Sequence, residues 1–551
     1  MRQRHEARPD WADPDFGFGA GNGRSVAFCR RFLMLVGLVF ASAGCMASEA
    51  PNAPFEVKLQ LDLRADGRPV ERRLLGNNLQ WIDRGDELLL ADSLDFNPDM
   101  LKLVQELHPT VLRYPGGSLA DVYRWKNGVG ALAERKENER FYDRHRQVVA
   151  FGTDEFLSLC ARLHAEPLIT VNVPSGTPEE AAEWVRYVND REKKDGVTGT
   201  QLPKVRFWEI GNEPYLKDDR PDLALTPVAY AKKANSFIMS MKKVDPKIQV
   251  GIPLRNDRLG DLPATPLQGY ATTVLETLET KPDFVCLHDA YLPFVMGGAV
   301  DEDDLYPAMM AASEVVARDL SVTRELLGRR FTGERPKIAI TEYNALVTVQ
   351  QKSTDAYLAS QAGALYLADL IRMLSEQPDV MMANYWSMTG NWHFGAISNR
   401  GERRPAYFTL LALERILRGR LVPARVEGPT FSSPAVGFAL AQSNIPLVTT
   451  IATREDGRVR LLLINKSRKG QARVTIRATW PDGGKREFAR SHVRQLVATS
   501  EFSTKVNPPN GWVEKVAAGV RLPWEVTLPA ASLTWIEWEL EPEDRESGAD
   551  A

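Results

Sequence analysis

Features that mark several protein classes are scarce in this chain of 551 residues. Of its 4 cysteines, only Cys160 and Cys286 lie beyond residue 50, and two isolated thiols give neither a disulfide framework nor a metal motif. We expect both to be small core residues. The net charge of −3 provides no basic excess for nucleic acid, and no motif for binding it is present. No apolar run reaches the ~20 residues of a membrane-spanning helix. What is present is an ordinary globular composition, 44% hydrophobic and 26% charged, with room for more than one domain.

The amino-terminal residues carry a short apolar run of their own. Arg30-Arg31 precede the run from Phe32 to Phe40, and small residues then lead to Cys45. A basic flank, a short apolar core and a small-residue exit are typical of a secretory signal. Ser42-Ala43-Gly44-Cys45 also resembles a bacterial lipoprotein processing site, which leaves lipid attachment at Cys45 and cleavage without lipid as alternatives. We expect residues 1–50 to be a leader, and the protein to be exported from a bacterial cytoplasm as a periplasmic, secreted or membrane-anchored protein.

Strand-like and helix-like segments alternate between residues 73 and 417. Eight apolar runs have the length of buried parallel strands. They are Leu74–Asn77, Val111–Tyr114, Leu168–Val173, Val205–Ile210, Ile248–Ile252, Phe284–His288, Ile338–Glu342 and Met381–Trp386. Helix signals separate several of them, as in Thr177-Pro178-Glu179-Glu180, which offers a cap, a first-turn proline and a capping-box glutamate. This alternation predicts an α/β fold, a (β/α)₈ barrel over residues 73–417.

Short strands separated by turn residues replace this alternation after about residue 418. Asp456-Gly457 predicts a hairpin, and Asp482-Gly483-Gly484 predicts another. Near the amino terminus, Phe55 to Arg64 alternates apolar with polar residues, which indicates a strand with one wet face rather than a barrel strand. We therefore predict an antiparallel β-sandwich over residues 418–540 that also takes in a strand from residues 51–72. The acidic residues 541–551 favour a disordered tail.

Two glutamates stand where barrel enzymes carry catalytic groups. The fourth run ends in Gly211-Asn212-Glu213-Pro214, and the seventh ends in Thr341-Glu342-Tyr343. Residues at strand ends are held rigidly yet lie open at the carboxyl face of a barrel. Two carboxylates that face each other across a cleft are the machinery of glycoside hydrolysis. The sequence therefore predicts Glu213 and Glu342 as a catalytic pair that needs no metal or cofactor.

Longer motifs around this pair are similar to those of a known family. They are Leu112-Arg113-Tyr114-Pro115-Gly116-Gly117, Tyr123-Arg124-Trp125-Lys126-Asn127-Gly128, Gly152-Thr153-Asp154-Glu155-Phe156, Ala165-Glu166-Pro167-Leu168-Ile169, Ser175-Gly176-Thr177-Pro178-Glu179-Glu180-Ala181-Ala182 and Trp208-Glu209-Ile210-Gly211-Asn212-Glu213. Together they resemble glycoside hydrolase family 51 of clan A, over roughly residues 76–417. Retaining α-L-arabinofuranosidases with a barrel and a C-terminal sandwich dominate that family. The resemblance implies a carbohydrate substrate, with Glu213 as the acid/base and Glu342 as the nucleophile.

Further residues are expected to support this pair or to bind the sugar. They are Asn212, Arg113, Tyr291, His288, Trp386 and Gln80. Arg113 is expected to hold Glu342 ionised through a charge-assisted hydrogen bond. The resemblance implies that the Tyr291 hydroxyl also contacts Glu342. Trp386 ends the eighth strand, and it either floors the sugar pocket or belongs to the core.

Three positions depart from the family pattern beside groups expected to contact the sugar. The first strand ends in Asn77-Asn78-Leu79-Gln80-Trp81 where the family has a Glu-His pair, and Ser118 stands in place of an asparagine. Thr341-Glu342-Tyr343 replaces Asp-Glu-Trp. We expect an exo-acting, retaining, α-L-arabinofuranosidase-like hydrolase. The alternatives are a clan A β-glycosidase of the β-glucuronidase, β-xylosidase or β-galactofuranosidase type, and a non-catalytic carbohydrate-binding lipoprotein.

Overall fold

The structure, a computed structural model, describes residues 53–190, 194–195, 198–216, 220–255, 269–349, 355–390, 394–481, 483–484 and 486–540. The predicted leader with Cys45 and the predicted acidic tail lie outside the described residues. Among the helices of the described part of the chain, none has both the length and the apolar character to cross a membrane.

Eight parallel strands close into a barrel, which confirms the predicted fold. Each strand pairs in parallel with the next, and the eighth pairs with the first. In chain order they are Gly76–Asn78, Val111–Tyr114, Glu166–Val171, Phe207–Ile210, Gln249–Leu254, Phe284–Leu287, Lys337–Thr348 and Val380–Tyr385. The first strand is shorter than predicted, because Leu74 and Leu75 belong to a 3-10 helix, Arg72–Leu75, which the Glu71 side chain caps.

A helix follows each barrel strand. The eight helices are Pro98–Leu107, Thr153–Leu163, Pro178–Asn189, Pro227–Val244, Tyr270–Thr277, Glu302–Arg330, Gln361–Ser375 and Pro405–Ile416. Shorter helical turns are Asp83–Asp86, Gly117–Val122, Trp125–Gly128, Leu132–Glu134, Pro221–Leu223 and Asp355–Leu358. The third helix begins as predicted, with Thr177 accepting a hydrogen bond from the backbone N–H of Glu180. The Glu180 carboxylate itself pairs with Arg124 at 2.6 Å. Cys160 and Cys286 are buried, as predicted.

The interior of the barrel has an apolar layer beneath a polar one. The apolar cluster includes Val111, Leu168, Phe207, Phe284 and Ala339. Since alternate residues of a strand face the same side, the next inward positions are Arg113, Thr170, Glu209, Cys286 and Thr341. Buried charges in such a layer require partners, and these partners determine the geometry of the site above them.

Two further sheets pack against each other to form the predicted sandwich. The first contains Ala424–Glu427, Phe55–Asp62, Ala472–Thr479 and Trp524–Leu528, in that spatial order. The second contains Arg420–Leu421, Val448–Glu455, Arg458–Asn465, Ser532–Leu540, Glu487–Leu496 and Val513–Arg521. The rings of Trp524 and Trp538, one from each sheet, lie 5.8 Å apart. The remaining strands are Glu137–Glu139, Arg146–Val148, Ala290–Met296, Thr389–Gly390, Ile397–Ser398, Thr430–Ser433 and Gln442–Pro446.

The pairing inside the sandwich differs from the prediction in two places. The strand Phe55–Asp62 joins it as predicted, but it runs parallel to Ala472–Thr479. No short turn links those two strands, so nothing forces them to be antiparallel. The hairpin at Asp456-Gly457 is confirmed. The predicted hairpin at residues 482–484 is wrong, because the flanking strands Ala472–Thr479 and Glu487–Leu496 belong to different sheets. Turn residues reverse a chain but do not select its partner strand.

Candidate active site

The carboxylates of Glu213 and Glu342 meet at one imidazole. Glu213 Oε1 lies 3.0 Å from His288 Nδ1, and Glu342 Oε1 lies 3.8 Å from the same nitrogen. The two oxygens are therefore at most about 6.8 Å apart, which is the sum of those distances. This limit admits the ~5–5.5 Å separation of the carboxyl groups in retaining glycosidases and excludes most of the ~6.5–9.5 Å range of inverting ones. Both groups lie at the carboxyl end of the barrel.

Two donors hold the Glu342 carboxylate, one on each oxygen. Arg113 Nη1 donates to Oε1 at 2.7 Å, and the Tyr291 hydroxyl donates to Oε2 at 2.8 Å. Tyr291 reaches this position because the strand Ala290–Met296 runs alongside the seventh strand, with Ala290 opposite Tyr343. Burial, together with the negative charge of Glu342, raises the pKa of Tyr291 well above its usual value, so the phenol keeps its proton.

Arg113 ties this carboxylate to the polar layer beneath it. The guanidinium is fully buried and donates from Nε to Glu209 at 2.6 Å, from Nη1 to Asn78 at 3.0 Å and from Nη2 to Asn212 at 2.8 Å. Burial alone would raise the pKa of Glu209, but Arg113, His288 and the hydrogen bond from Thr170 together hold the pKa below the usual value. The layer therefore contains an ionised carboxylate as well as the arginine.

His288 joins the acid/base candidate to the same layer. Its Nδ1 faces Glu213, and its Nε2 lies 3.0 Å from the Thr341 hydroxyl. That hydroxyl donates to Glu209 Oε1 at 2.9 Å. Burial would lower the pKa of His288, but the carboxylates of Glu342 and Glu213 more than compensate and raise it. Glu213 itself has φ of +39°, a left-handed conformation that glutamate rarely adopts. Such backbone strain is found mainly at functional sites.

Trp386 and Gln80 lie at the rim of this site. Trp386 is half-buried at the end of the eighth strand, with its ring against Gly117. A Cβ on Gly117 would lie 2.7 Å from the Trp386 ring, and φ of +47° also favours glycine there. Gln80 is half-buried against Gly116, at the ends of the first and second strands. Of the eight predicted site residues, the structure groups four around the pair Glu213 and Glu342 and places Trp386 and Gln80 at its edge.

Sequence reasoning missed Glu209, Thr170 and the contacts of Asn78. The signal for Glu209 was present, because a lone charge at an inward position of an apolar strand requires a partner. Thr170 donates to Glu209 Oε2 at 2.6 Å, and the Asn78 amide donates to the backbone carbonyl of Thr341 at 3.0 Å. The contacts of these three residues become visible only when strands that are distant in sequence lie side by side in the barrel.

A narrow cleft opens beside Glu213. His288, Tyr291, Arg255, Asp289 and Phe438 contribute to its lining. Phe438 belongs to the connection between Thr430–Ser433 and Gln442–Pro446, beyond the barrel. Sequence reasoning gave no indication that this region reaches the site. Among the described residues, no group of three histidine, cysteine or acidic side chains could hold a metal ion.

The fold and the site together define a clan A type of barrel, in which carboxylates end the fourth and seventh strands. Residues 103–266 match the model of the alpha-L-arabinofuranosidase 1 domain. The chain is 31% identical over 401 residues to the "Probable alpha-L-arabinofuranosidase C" of Aspergillus clavatus, covering 69% of this chain and 77% of that protein. The chain therefore belongs to the α-L-arabinofuranosidase-like proteins of glycoside hydrolase family 51.

Other relatives match over a smaller span. The chain is 33% identical over 172 residues to alpha-L-arabinofuranosidase C of Emericella nidulans, covering 29% of this chain and 33% of that protein. The alignment with the corresponding Aspergillus terreus protein likewise covers 32% of that relative, so these matches span about a third of the curated proteins. Among solved structures, the GH51 α-L-arabinofuranosidase of Thermotoga petrophila superposes with a TM-score of 0.73 at 21% identity, covering 87% of this chain and 99% of that one. That likeness shows the shared fold.

Proposed function

We propose that this protein is a retaining glycoside hydrolase that removes terminal α-L-arabinofuranosyl residues from polysaccharides or oligosaccharides. The observation that carries the proposal is the meeting of Glu213 and Glu342 at one nitrogen of His288. The upper limit of about 6.8 Å between their Oε1 atoms admits the ~5–5.5 Å separation at which one carboxylate attacks the anomeric carbon directly. Family membership supports the choice of sugar.

The contacts favour Glu342 as the nucleophile. Arg113 and Tyr291 fix both of its oxygens, which orients one lone pair toward the cleft and stabilises the carboxylate when it departs. The side chain of Glu213 is the more exposed of the two, at 15% against 6% for Glu342, and it contacts His288, a group that can exchange a proton. Those properties suit an acid/base residue.

The reaction proceeds in two displacements. Glu342 attacks the anomeric carbon while protonated Glu213 transfers its proton to the leaving oxygen, which gives a glycosyl ester on Glu342. Glu213, now ionised, removes a proton from an incoming water molecule. That water attacks the anomeric carbon, the Glu342–sugar bond breaks, and Arg113 and Tyr291 stabilise the released carboxylate.

Chemical rescue tests this division of roles. We expect Glu342→Ala to lose turnover and to regain it with azide or formate, as a glycosyl adduct of inverted configuration. Glu213→Ala should slow substrates with poor leaving groups far more than activated aryl glycosides, since activated leaving groups need little protonation. The opposite pattern of azide response would reverse the two roles.

The identity of the sugar is tested with a panel. Aryl α-L-arabinofuranoside should be hydrolysed faster than aryl β-xyloside, β-glucuronide and β-galactofuranoside. Gln80 and Ser118 stand where the family carries other residues, and a lost polar contact changes preference by about one to two orders of magnitude. If a β-glycoside is preferred, Gln80→Glu combined with Ser118→Asn should move activity back toward the arabinofuranoside. Sugar binding without turnover on the whole panel would instead favour a non-catalytic carbohydrate-binding protein.

Export is the second part of the proposed function. The apolar run after Arg30-Arg31 and the small residues before Cys45 support a leader that carries the protein out of the bacterial cytoplasm. Fractionation of the native protein beside Cys45→Ser tests the anchor. Release of only the variant into the soluble periplasm supports lipid at Cys45, and identical fractions contradict it.

A further inference from the structure

The Thr341 hydroxyl links the catalytic pair to a carboxylate buried in the barrel. Glu209 is fully buried, and the charge of Arg113 keeps it ionised, so it can only accept hydrogen bonds. Thr341 Oγ1 lies 2.9 Å from Glu209 Oε1. An ionised acceptor competes better for a proton than a neutral ring nitrogen does, so the single hydroxyl proton of Thr341 is donated to Glu209.

This donation determines which nitrogen of His288 carries a proton. Nε2 lies 3.0 Å from the Thr341 oxygen, which has already given its proton to Glu209. The oxygen can therefore only accept, and Nε2 must be the donor. A neutral imidazole carries one N–H, so Nδ1 presents a lone pair to Glu213 Oε1 at 3.0 Å.

We propose that Glu209, acting through the Thr341 hydroxyl, holds His288 as the Nε2–H tautomer and thereby keeps the acid proton shared between His288 Nδ1 and Glu213. The inference rests on the proposed role of Glu213 as the acid/base. The other tautomer would donate from Nδ1 to Glu213, which stabilises an ionised glutamate that cannot protonate a leaving group. When Nδ1 of His288 carries no proton of its own, loss of the shared proton leaves its lone pair facing the Glu213 carboxylate. Because these two groups repel each other, His288 and Glu213 together retain the shared proton to higher pH.

Several ionisable groups face this pair. Glu342 and Glu209 approach the imidazole at 3.8 Å and 4.0 Å, and Arg113 lies across both carboxylates. On the cleft side, the charged or titratable groups near Glu213 include Arg255, Asp289, Tyr215 and Tyr291. The Cys286 thiol contacts Glu209 and Thr341, but burial raises its pKa well above the usual value, so it stays neutral. Glu209 and Thr341 are therefore positioning residues that act through His288.

Three variants of the wild-type chain test the proposal. Thr341→Val removes the acceptor for Nε2–H and allows the tautomer to change. The basic limb of the kcat/KM profile should move down by about one pH unit, and activity on poor leaving groups should fall about tenfold, equivalent to about one hydrogen bond. Activity on an activated aryl glycoside should change by only about twofold. Thr341→Ser keeps a hydroxyl and should restore the wild-type profile.

Thr170→Val is the matched control. It removes the other hydroxyl that donates to Glu209, at 2.6 Å on Oε2, and leaves the contact between Thr341 and His288 in place. Its basic limb should stay where the wild type has it. If Thr170→Val and Thr341→Val move the limb equally, the effect comes from the charge of Glu209 and the tautomer argument is wrong.

A spectroscopic measurement reads the tautomer without activity. Among the 7 histidines, the ¹⁵N signals of His288 are assigned by their loss in His288→Gln. We expect the neutral ring of the wild-type protein to show a protonated Nε2 and a bare Nδ1, and a protonated Nδ1 in wild type would overturn the proposal. An inactive wild type with the expected tautomer would contradict the proposed function and leave this inference standing.

Discussion

Replacing Arg113 by lysine keeps the positive charge but removes the planar fork. The guanidinium uses three nitrogens to reach Glu209, Glu342 and Asn212 at 2.6, 2.7 and 2.8 Å. A lysine has one ammonium nitrogen, which cannot lie within hydrogen-bonding distance of acceptors spread around the fork. We expect it to stay with Glu209, the partner nearest the side-chain stem, and to lose the contacts with Glu342, Asn212 and Asn78.

The expected loss follows from the number of broken contacts. Hydrogen bonds that involve a charged group contribute about 1.5–3 kcal/mol each. The two broken contacts with predicted site residues, Glu342 and Asn212, correspond to ~3–6 kcal/mol of transition-state stabilisation, or a decrease of about 10²–10⁴-fold in kcat/KM. The Arg113 side chain is fully buried behind Glu342, so it has no surface with which to bind the sugar and KM should change little.

Steady-state kinetics on an aryl arabinofuranoside, with urea denaturation of the same preparations, measure both effects. Arg113→Lys should retain most of its stability because Glu209 still has a charged partner. Arg113→Met leaves Glu209 buried without its arginine partner, although Thr170 and Thr341 still donate to it, and should lose about 3–5 kcal/mol of unfolding free energy. If Arg113→Lys kept kcat/KM within about threefold of wild type, the fork would not be what positions Glu342, and this reasoning would be refuted.

Two other changes follow from the structure. Gly117→Ala should raise KM about tenfold, because the new Cβ would lie 2.7 Å from the Trp386 ring and would displace it. The φ of +47° at this position adds about 1 kcal/mol of backbone strain. An unchanged KM would mean that Trp386 belongs to the core and does not contact the sugar. Asp369 joins a barrel helix to Lys466 of the sandwich at 2.5 Å. Burial opposes ionisation of Asp369, but the neighbouring Arg372 and Lys466 lower its pKa, so its contribution to stability is complete above the ordinary aspartate range and is lost as pH falls through the lowered value. Asp369→Asn should therefore lower the free energy of unfolding, measured by urea denaturation at pH 7, by about 3–5 kcal/mol. Between pH 7 and pH 2 the variant should lose less stability than the wild type does. Equal losses over that range would contradict the role assigned to Asp369.

Local patterns were sufficient for the barrel. Continuous apolar runs of strand length, separated by helix signals such as Thr177-Pro178, admit few arrangements besides alternating strands and helices around a closed sheet. The parallel neighbour of the strand Phe55–Asp62 and the wrong hairpin at residues 482–484 could not be predicted, for a different reason. In both places the sequence defines where the chain turns, while pairing depends on which distant strand is available.

The candidate catalytic glutamates could also be located from the sequence, since Glu213 and Glu342 end their strands within extended motifs. Their separation could not be predicted, because the distance between residues 129 positions apart depends on barrel closure. The same holds for His288, whose two ring nitrogens contact groups from the fourth and seventh strands. Residue type and position along the strand predict a pair of carboxylates. Only the folded geometry gives the distance between them and the groups that His288 contacts.

What the sequence determined by itself was the succession of elements and the two strand-end carboxylates, because short-range periodicity and turn chemistry encode both. Only the tertiary structure decided how Arg113, Glu209 and Thr341 combine. Arg113 and Glu209 are each the one charged residue of a short barrel strand, and Thr341 stands directly before Glu342. Nothing in the local sequence states which buried polar groups will partner them. Closing the barrel brings these three residues into one layer, where the high cost of an unpaired buried charge determines their contacts. Through His288, the same contacts determine the protonation state that we propose for His288 and Glu213.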